Sequence, residues 1–133
     1  MSSLFTTLVL DERLRRRRFY SAFLMFAAIL VMGSVPGARA ELGQFGSGLV
    51  LHSIAYGSLT FLVYTGSTGS RGQRALRAVL TIALMGALDE FVQSFLPYRN
   101  GSPRDWLVDC CAASVTAGLL WRFMPEPVKS TDA

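Results

Sequence analysis

Apolar residues in this chain fall into four blocks separated by short polar connections. The blocks run over about 19–35, 49–64, 78–95 and 106–124, each near the ~20 residues needed to cross ~30 Å of hydrocarbon. Their edges carry the expected punctuation. Pro36 and Gly37 end the first, a flexible stretch from Gly43 to Gly48 precedes the second, Pro97 closes the third, and Pro103 and Asp105 open the fourth before Pro125 ends it. This pattern predicts an all-α protein, a four-helix transmembrane bundle with short loops. A basic N-terminal segment over 1–18 and a polar tail over 125–133 flank it.

Composition strengthens that reading. Of 133 residues, 51% are apolar and 17% charged, against about 25% charged in ordinary soluble domains. The mean hydropathy is +0.38. A soluble cytosolic enzyme is thereby disfavoured. The net charge of +4 would suit nucleic acid, but the basic residues lie between the apolar blocks without an aromatic or Gly-rich RNA-type motif, so no nucleic acid is expected. The charge reads as topology instead. Ten Lys and Arg residues fall in the N-terminal segment, the second loop and the C-terminal end, against three in the first and third loops. By the positive-inside rule both termini are cytoplasmic in the inner membrane of a bacterium, and the loops around Gly43 and Tyr98 face outward. Ala38-Arg39-Ala40 has the small-x-small form of a signal-peptidase site, although the preceding apolar run reaches spanning length. Cys110 and Cys111 fit neither a zinc knuckle nor a disulfide, and read as small residues packed between helices.

Polar residues inside the blocks are the informative exceptions, since a charge at mid-membrane costs about 2.5 to 3.5 kcal/mol. The third block contains Asp89, Glu90 and Gln93, the second His52 with Tyr56 one turn later, and the fourth Asp105 with Asp109 one turn later. A rise of about 1.5 Å per residue from the cytoplasmic end puts Asp89 near mid-depth and Gln93 further out. His52 and Asp105 start their helices at the outer side. Three helices thus direct polar groups to one level. Each pair alone is explained by packing, but the desolvation cost of the whole set points to a shared polar pocket.

The chain resembles the VanZ-like family of small bacterial multi-pass membrane proteins. The similarity is carried by Leu88-Asp89-Glu90-Phe91-Val92-Gln93 with Phe95, Pro97 and Arg99, followed by Asp105, and by His52-x-x-x-Tyr56 with the run Gly57 to Leu62. Two departures stand out: Gly48 and Leu49 occupy positions where the family often has Asp-Lys, and Asp109 stands in place of its usual Asn. The resemblance implies a protein of the cell envelope, in a family named for a member linked to low-level resistance to the glycopeptide teicoplanin.

The pocket expected from these readings comprises His52, Tyr56, Asp89, Glu90, Gln93, Arg99, Asp105 and Asp109. One reading makes it a non-enzymatic site for a polar lipid head group, glycan or cell-wall peptide, with Arg99 and Arg104 as anion contacts. Another makes it an intramembrane acid/base enzyme on a lipid-linked substrate, with Asp89, Glu90 and His52 as candidate catalytic groups. A third reading is a structural membrane subunit. Ser53 points about 100° away from His52 on a helix, which disfavours a serine nucleophile. A single His without HExxH or paired Cys argues against a metal, and no cofactor is expected. Membrane lipids are the expected partners.

Overall fold

In the computed structural model, which describes residue 9 and residues 11–125, the chain forms five helices and no strand among the described residues. They are α1 (Glu12–Ser34), α2 (Ala38–Leu42), α3 (Gly48–Gly66), α4 (Arg71–Gln93) and α5 (Pro103–Phe123). The expected polar tail and the start of the N-terminal segment fall largely outside the described residues.

Local chemistry sets the helix ends and corrects the boundaries read from hydropathy. α1 begins at Glu12, so the arginine cluster lies on its first turns; Asp11 caps it by accepting the Arg13 N–H at 2.8 Å. The third apolar block begins seven residues early for a similar reason. Ser70 and Gln73 form a capping box, with Gln73 N–H donating to Ser70 Oγ at 3.3 Å and Ser70 N–H to Gln73 Oε1 at 3.0 Å. Arginine is a good helix former, so Arg71, Arg74 and Arg77 extend α4 rather than sitting in a loop. Gly69, at φ 105°, makes the turn before it, a conformation that residues with a Cβ rarely adopt. Pro103 occupies the first turn of α5, where its missing N–H costs nothing. The short α2 was not foreseen.

α3, α4 and α5 pack together, and α1 lies mainly against α3 with little contact to α4. Small residues allow the close approaches. A Cβ at Gly66 would sit 2.6 Å from the Phe19 backbone nitrogen, so α1 and α3 touch backbone to backbone there. The core joins Ala22, Phe26, Tyr56, Leu59, Val63, Ile82, Met85 and Ala113.

Much of the outer surface is apolar. On α4, Leu76, Leu80, Leu84 and Leu88 form one exposed stripe at helical spacing, with Leu84 73% exposed, while Arg74, Asp89, Glu90 and Gln93 are buried on the opposite side. α5 likewise exposes Leu107, Val115 and Leu119 and buries Asp109. Two helices, α1 and α3, are long and apolar enough to cross a membrane. α4 and α5 have comparable lengths, with their charged residues on the inward faces and at the ends. Cys111 is exposed and Cys110 half-buried, which corrects the expectation that both pack between helices.

Candidate functional site

His52 lies in the second turn of α3, and Tyr56 follows one turn later on the same face, as the i, i+4 spacing requires. Their rings are stacked, 5.8 Å apart between centroids and 4° from parallel. Each reaches a different neighbour. His52 Nδ1 pairs with Asp109 Oδ1 on α5 at 2.8 Å, and the Tyr56 hydroxyl donates to Asp89 Oδ2 on α4 at 2.9 Å. The tautomer carrying its proton on Nδ1 suits the first of these, because an ionised carboxylate can only accept. One turn of α3 therefore ties all three helices together.

The chain after α4 folds back over the same end. Arg99 donates from Nε to Gln93 Oε1 at 3.2 Å and again from its terminal nitrogen, while the Ser102 backbone N–H donates to Glu90 Oε2. Gly101 allows this approach, since a Cβ there would be 2.5 Å from the Glu90 carbonyl oxygen. The Tyr98 hydroxyl donates to the Ser34 carbonyl at the end of α1. Trp106 Nε1 donates to the Ala83 carbonyl at 2.9 Å and fixes the start of α5 on α4. Gly86 then leaves room for Asp109, which is 0% exposed.

Between α1, α2, α3 and the C-terminal part of α4 lies a cavity of about 350 Å³. Its walls are largely apolar, with Met25, Ile29 and Met32 from α1 facing Leu51 and Ala55 from α3. At one side it meets His52, Tyr56, Asp89, Gln93 and two cations, Arg39 and Arg99. Glu90 and Asp109 do not line it; they lie behind this polar side, Asp109 bonded to His52 and Glu90 to the Ser102 amide.

Six of the eight expected site residues thus form three directly bonded pairs in this one polar region, His52 with Asp109, Tyr56 with Asp89 and Gln93 with Arg99, and Glu90 joins them through the Ser102 amide. Asp105 is the exception. It is half-buried in the first turn of α5 and its side chain makes no hydrogen bond or ion pair among the described residues. Arg104 is exposed and lines a separate groove with Leu49 and Ser53, which corrects its expected place beside Arg99. Ser53 faces that same groove, as its position next to His52 predicts.

Sequence reasoning missed the α1 wall and Arg39. The recurrence of Met25, Ile29 and Met32 at helical spacing is the signal for the wall; Arg39 enters the sequence reading as the basic residue of the first loop and as part of a cleavage-like tripeptide, not as a site residue. One donor atom each from His52, Glu90 and Asp109 lies within 4.8 Å of the others. Two carboxylate oxygens in this group, Glu90 Oε1 and Asp109 Oδ2, are buried without a hydrogen-bond partner. Comparison of the chain with protein-family models, curated proteins and solved structures returns no match.

Proposed function

We propose that this is a four-span bacterial inner-membrane protein, both termini cytoplasmic, that holds the polar end of an anionic amphiphile at the outer leaflet. The observation that carries this reading is the cavity, whose apolar walls lead to Arg39, to Arg99 with its partner Gln93, and to His52 and the Tyr56–Asp89 pair. Its volume of about 350 Å³ suits a head group and the first carbons of a chain rather than a whole lipid. Ligand pockets of this kind combine apolar lining with few convergent polar groups.

Four spans are supported by the exposed stripes of α4 and α5 as much as by their lengths. At 1.5 Å per residue, their 23 and 21 residues cover about 34 and 32 Å. Soluble monomers seldom expose continuous apolar bands of this extent around buried charges. In hydrocarbon the same arrangement is expected, because the apolar side chains meet lipid and the charged ones face the bundle interior.

The VanZ-like resemblance makes the ligand an envelope lipid, a lipid-linked glycan or another cell-wall component, and makes glycopeptide susceptibility the phenotype to score. The His52–Asp109 pair favours a second reading, acid/base chemistry on that same ligand, with Asp89 and Glu90 as further proton-carrying groups.

Native mass spectrometry of the protein released from its own membrane tests the binding reading. The expected result is a co-released anionic lipid or lipid-linked molecule that Arg99→Gln loses more than about tenfold. Equal retention of all lipids by folded wild-type and R99Q protein would overturn it. An altered envelope precursor dependent on Glu90 in lipid extracts would favour the enzyme.

A further inference from the structure

The geometry points to a divalent-cation site, of the Mn²⁺ or Zn²⁺ type, formed by His52 of α3, Glu90 of α4 and Asp109 of α5. This inference does not depend on the amphiphile reading, because the three donors sit behind the cavity and their occupancy is measurable with the metal alone.

Three independent observations converge on these residues. The first is proximity: a donor atom from each lies within 4.8 Å of the others. Metal bonds of about 2.0 to 2.2 Å bring donors within roughly 3 to 4 Å of one another, so side-chain rotations of about an ångström close the set. The His52 Nδ1 to Asp109 Oδ1 separation of 2.8 Å is already close to that of adjacent ligands on one ion. Ligation through Nδ1 requires the ring proton to sit on Nε2, so one N–H···O bond is exchanged for two bonds to the cation.

The second observation is the unused bonding capacity. Asp109 is 0% exposed and Glu90 9%, yet Oδ2 of the first and Oε1 of the second have no partner. Their other oxygens are committed, to His52 and to the Ser102 amide. Asp109 Oδ2 faces α4 beside Gly86, where a Cβ would lie 3.0 Å from it, and Glu90 is one turn further along that helix. Asp109 therefore directs its free oxygen into the α4–α5 seam, and Glu90 is the next acid on the α4 side of the group. Buried carboxylate oxygens left bare are costly, typically by about 1 to 3 kcal/mol or more each.

Charge is the third. Two carboxylates and a neutral imidazole carry −2, which a dication cancels; in a low-dielectric interior a neutral cluster avoids the penalty that isolated charges meet. Lys is absent from this group, and the cavity's Arg99 is engaged with Gln93 rather than with either acid. One imidazole with two carboxylates is a donor set for Mn²⁺ or Zn²⁺ rather than for thiolate-seeking ions.

The test uses full-length protein in lipid nanodiscs, stripped with chelator and then titrated with Mn²⁺ or Zn²⁺. Elemental analysis after desalting should give one ion per chain. Glu90→Gln and Asp109→Asn should each weaken binding more than about tenfold, whereas Ser53→Ala on the opposite groove should not change it. Pulsed EPR of the wild-type Mn²⁺ complex should show coupling to one imidazole nitrogen, a readout that requires no variant to fold. Absence of that coupling, failure to retain either ion at millimolar concentration, or equal binding by folded E90Q and D109N proteins would each overturn the assignment.

Discussion

Alanine at Gly86 and alanine at Gly118 are the same chemical change on two packed helices, yet they should move stability in opposite directions. At Gly118 on α5 the added methyl meets nothing within 4 Å, so only backbone propensity changes. Replacing Gly by Ala inside a helix is worth about 0.5 to 1 kcal/mol in favour of the fold. At Gly86 on α4 the same gain is opposed by contact with α5. The new Cβ would lie 3.0 Å from Asp109 Oδ2, 3.2 Å from Trp106 Cδ1 and 3.3 Å from Asp109 Cβ. Neither neighbour can yield freely, because Trp106 is tied to the Ala83 carbonyl and Asp109 to His52. Overpacking of this kind typically costs about 1 to 3 kcal/mol. The two variants should therefore differ by roughly that amount, with Gly118→Ala the more stable. Unfolding by SDS titration, followed by circular dichroism, measures the difference, and Trp106 fluorescence should shift only in Gly86→Ala. If G86A proves as stable as G118A, the close seating of Asp109 against α4 is wrong.

Three further outcomes follow from other parts of the molecule. A double-mutant cycle on Tyr56→Phe and Asp89→Asn should give a coupling of about 0.6 kcal/mol and at most about 1.7, the range of interhelical hydrogen bonds in membranes; zero coupling in folded variants would remove their 2.9 Å bond from the account. Gly66→Ala, whose Cβ would meet the Phe19 backbone at 2.6 to 2.8 Å, should loosen α1 and raise proteolysis between α1 and α3, whereas unchanged protease resistance would contradict that contact. Alkaline phosphatase fused after Gly101 should be active and after Gly69 inactive; the reverse pattern would invert the orientation.

The shared level of the site was legible because charge inside an apolar helix has to find a partner. Asp89 and Glu90 announced a polar region, and the four-residue spacing of His52 and Tyr56 put both on one face. Which acid each would meet was not legible. That choice depends on the rotation and offset of α3 relative to α4 and α5, set by close contacts such as those beside Gly66 and Gly86. Asp105 and Asp109 have the same sequence credentials, one turn apart at a helix start, but only Asp109 is swung under His52. Arg74 escaped for a different reason. Counting basic residues treats every arginine at a helix end as solvent-facing, yet Arg74 is buried, its guanidinium 4.5 Å from the Tyr64 ring centre and its Nε donating to the Tyr64 carbonyl. Its apolar stem and planar head suit such a place better than lysine would.

The charges of α4 also run against its own helix dipole. Arg71, Arg74 and Arg77 occupy its start, where anions are favoured, and Asp89 and Glu90 occupy its end, where cations are. Each such placement costs about 0.3 to 1 kcal/mol at an exposed terminus, so helix stability does not account for them. Neighbouring elements do. The C-terminal carbonyls of α3 receive Arg74 at Tyr64 and Arg18 at Thr65, the end of a helix at which cations are favourable. At the opposite end Tyr56 donates to Asp89, and the Ser102 amide just before α5 donates to Glu90. α4 thus finds the partners of its charges on its antiparallel neighbours rather than at its own termini. A reversed α4, or one shifted by a turn, would lose both sets of partners at once, which is how a helix with an uninterrupted leucine stripe on its outer face is held in a single register.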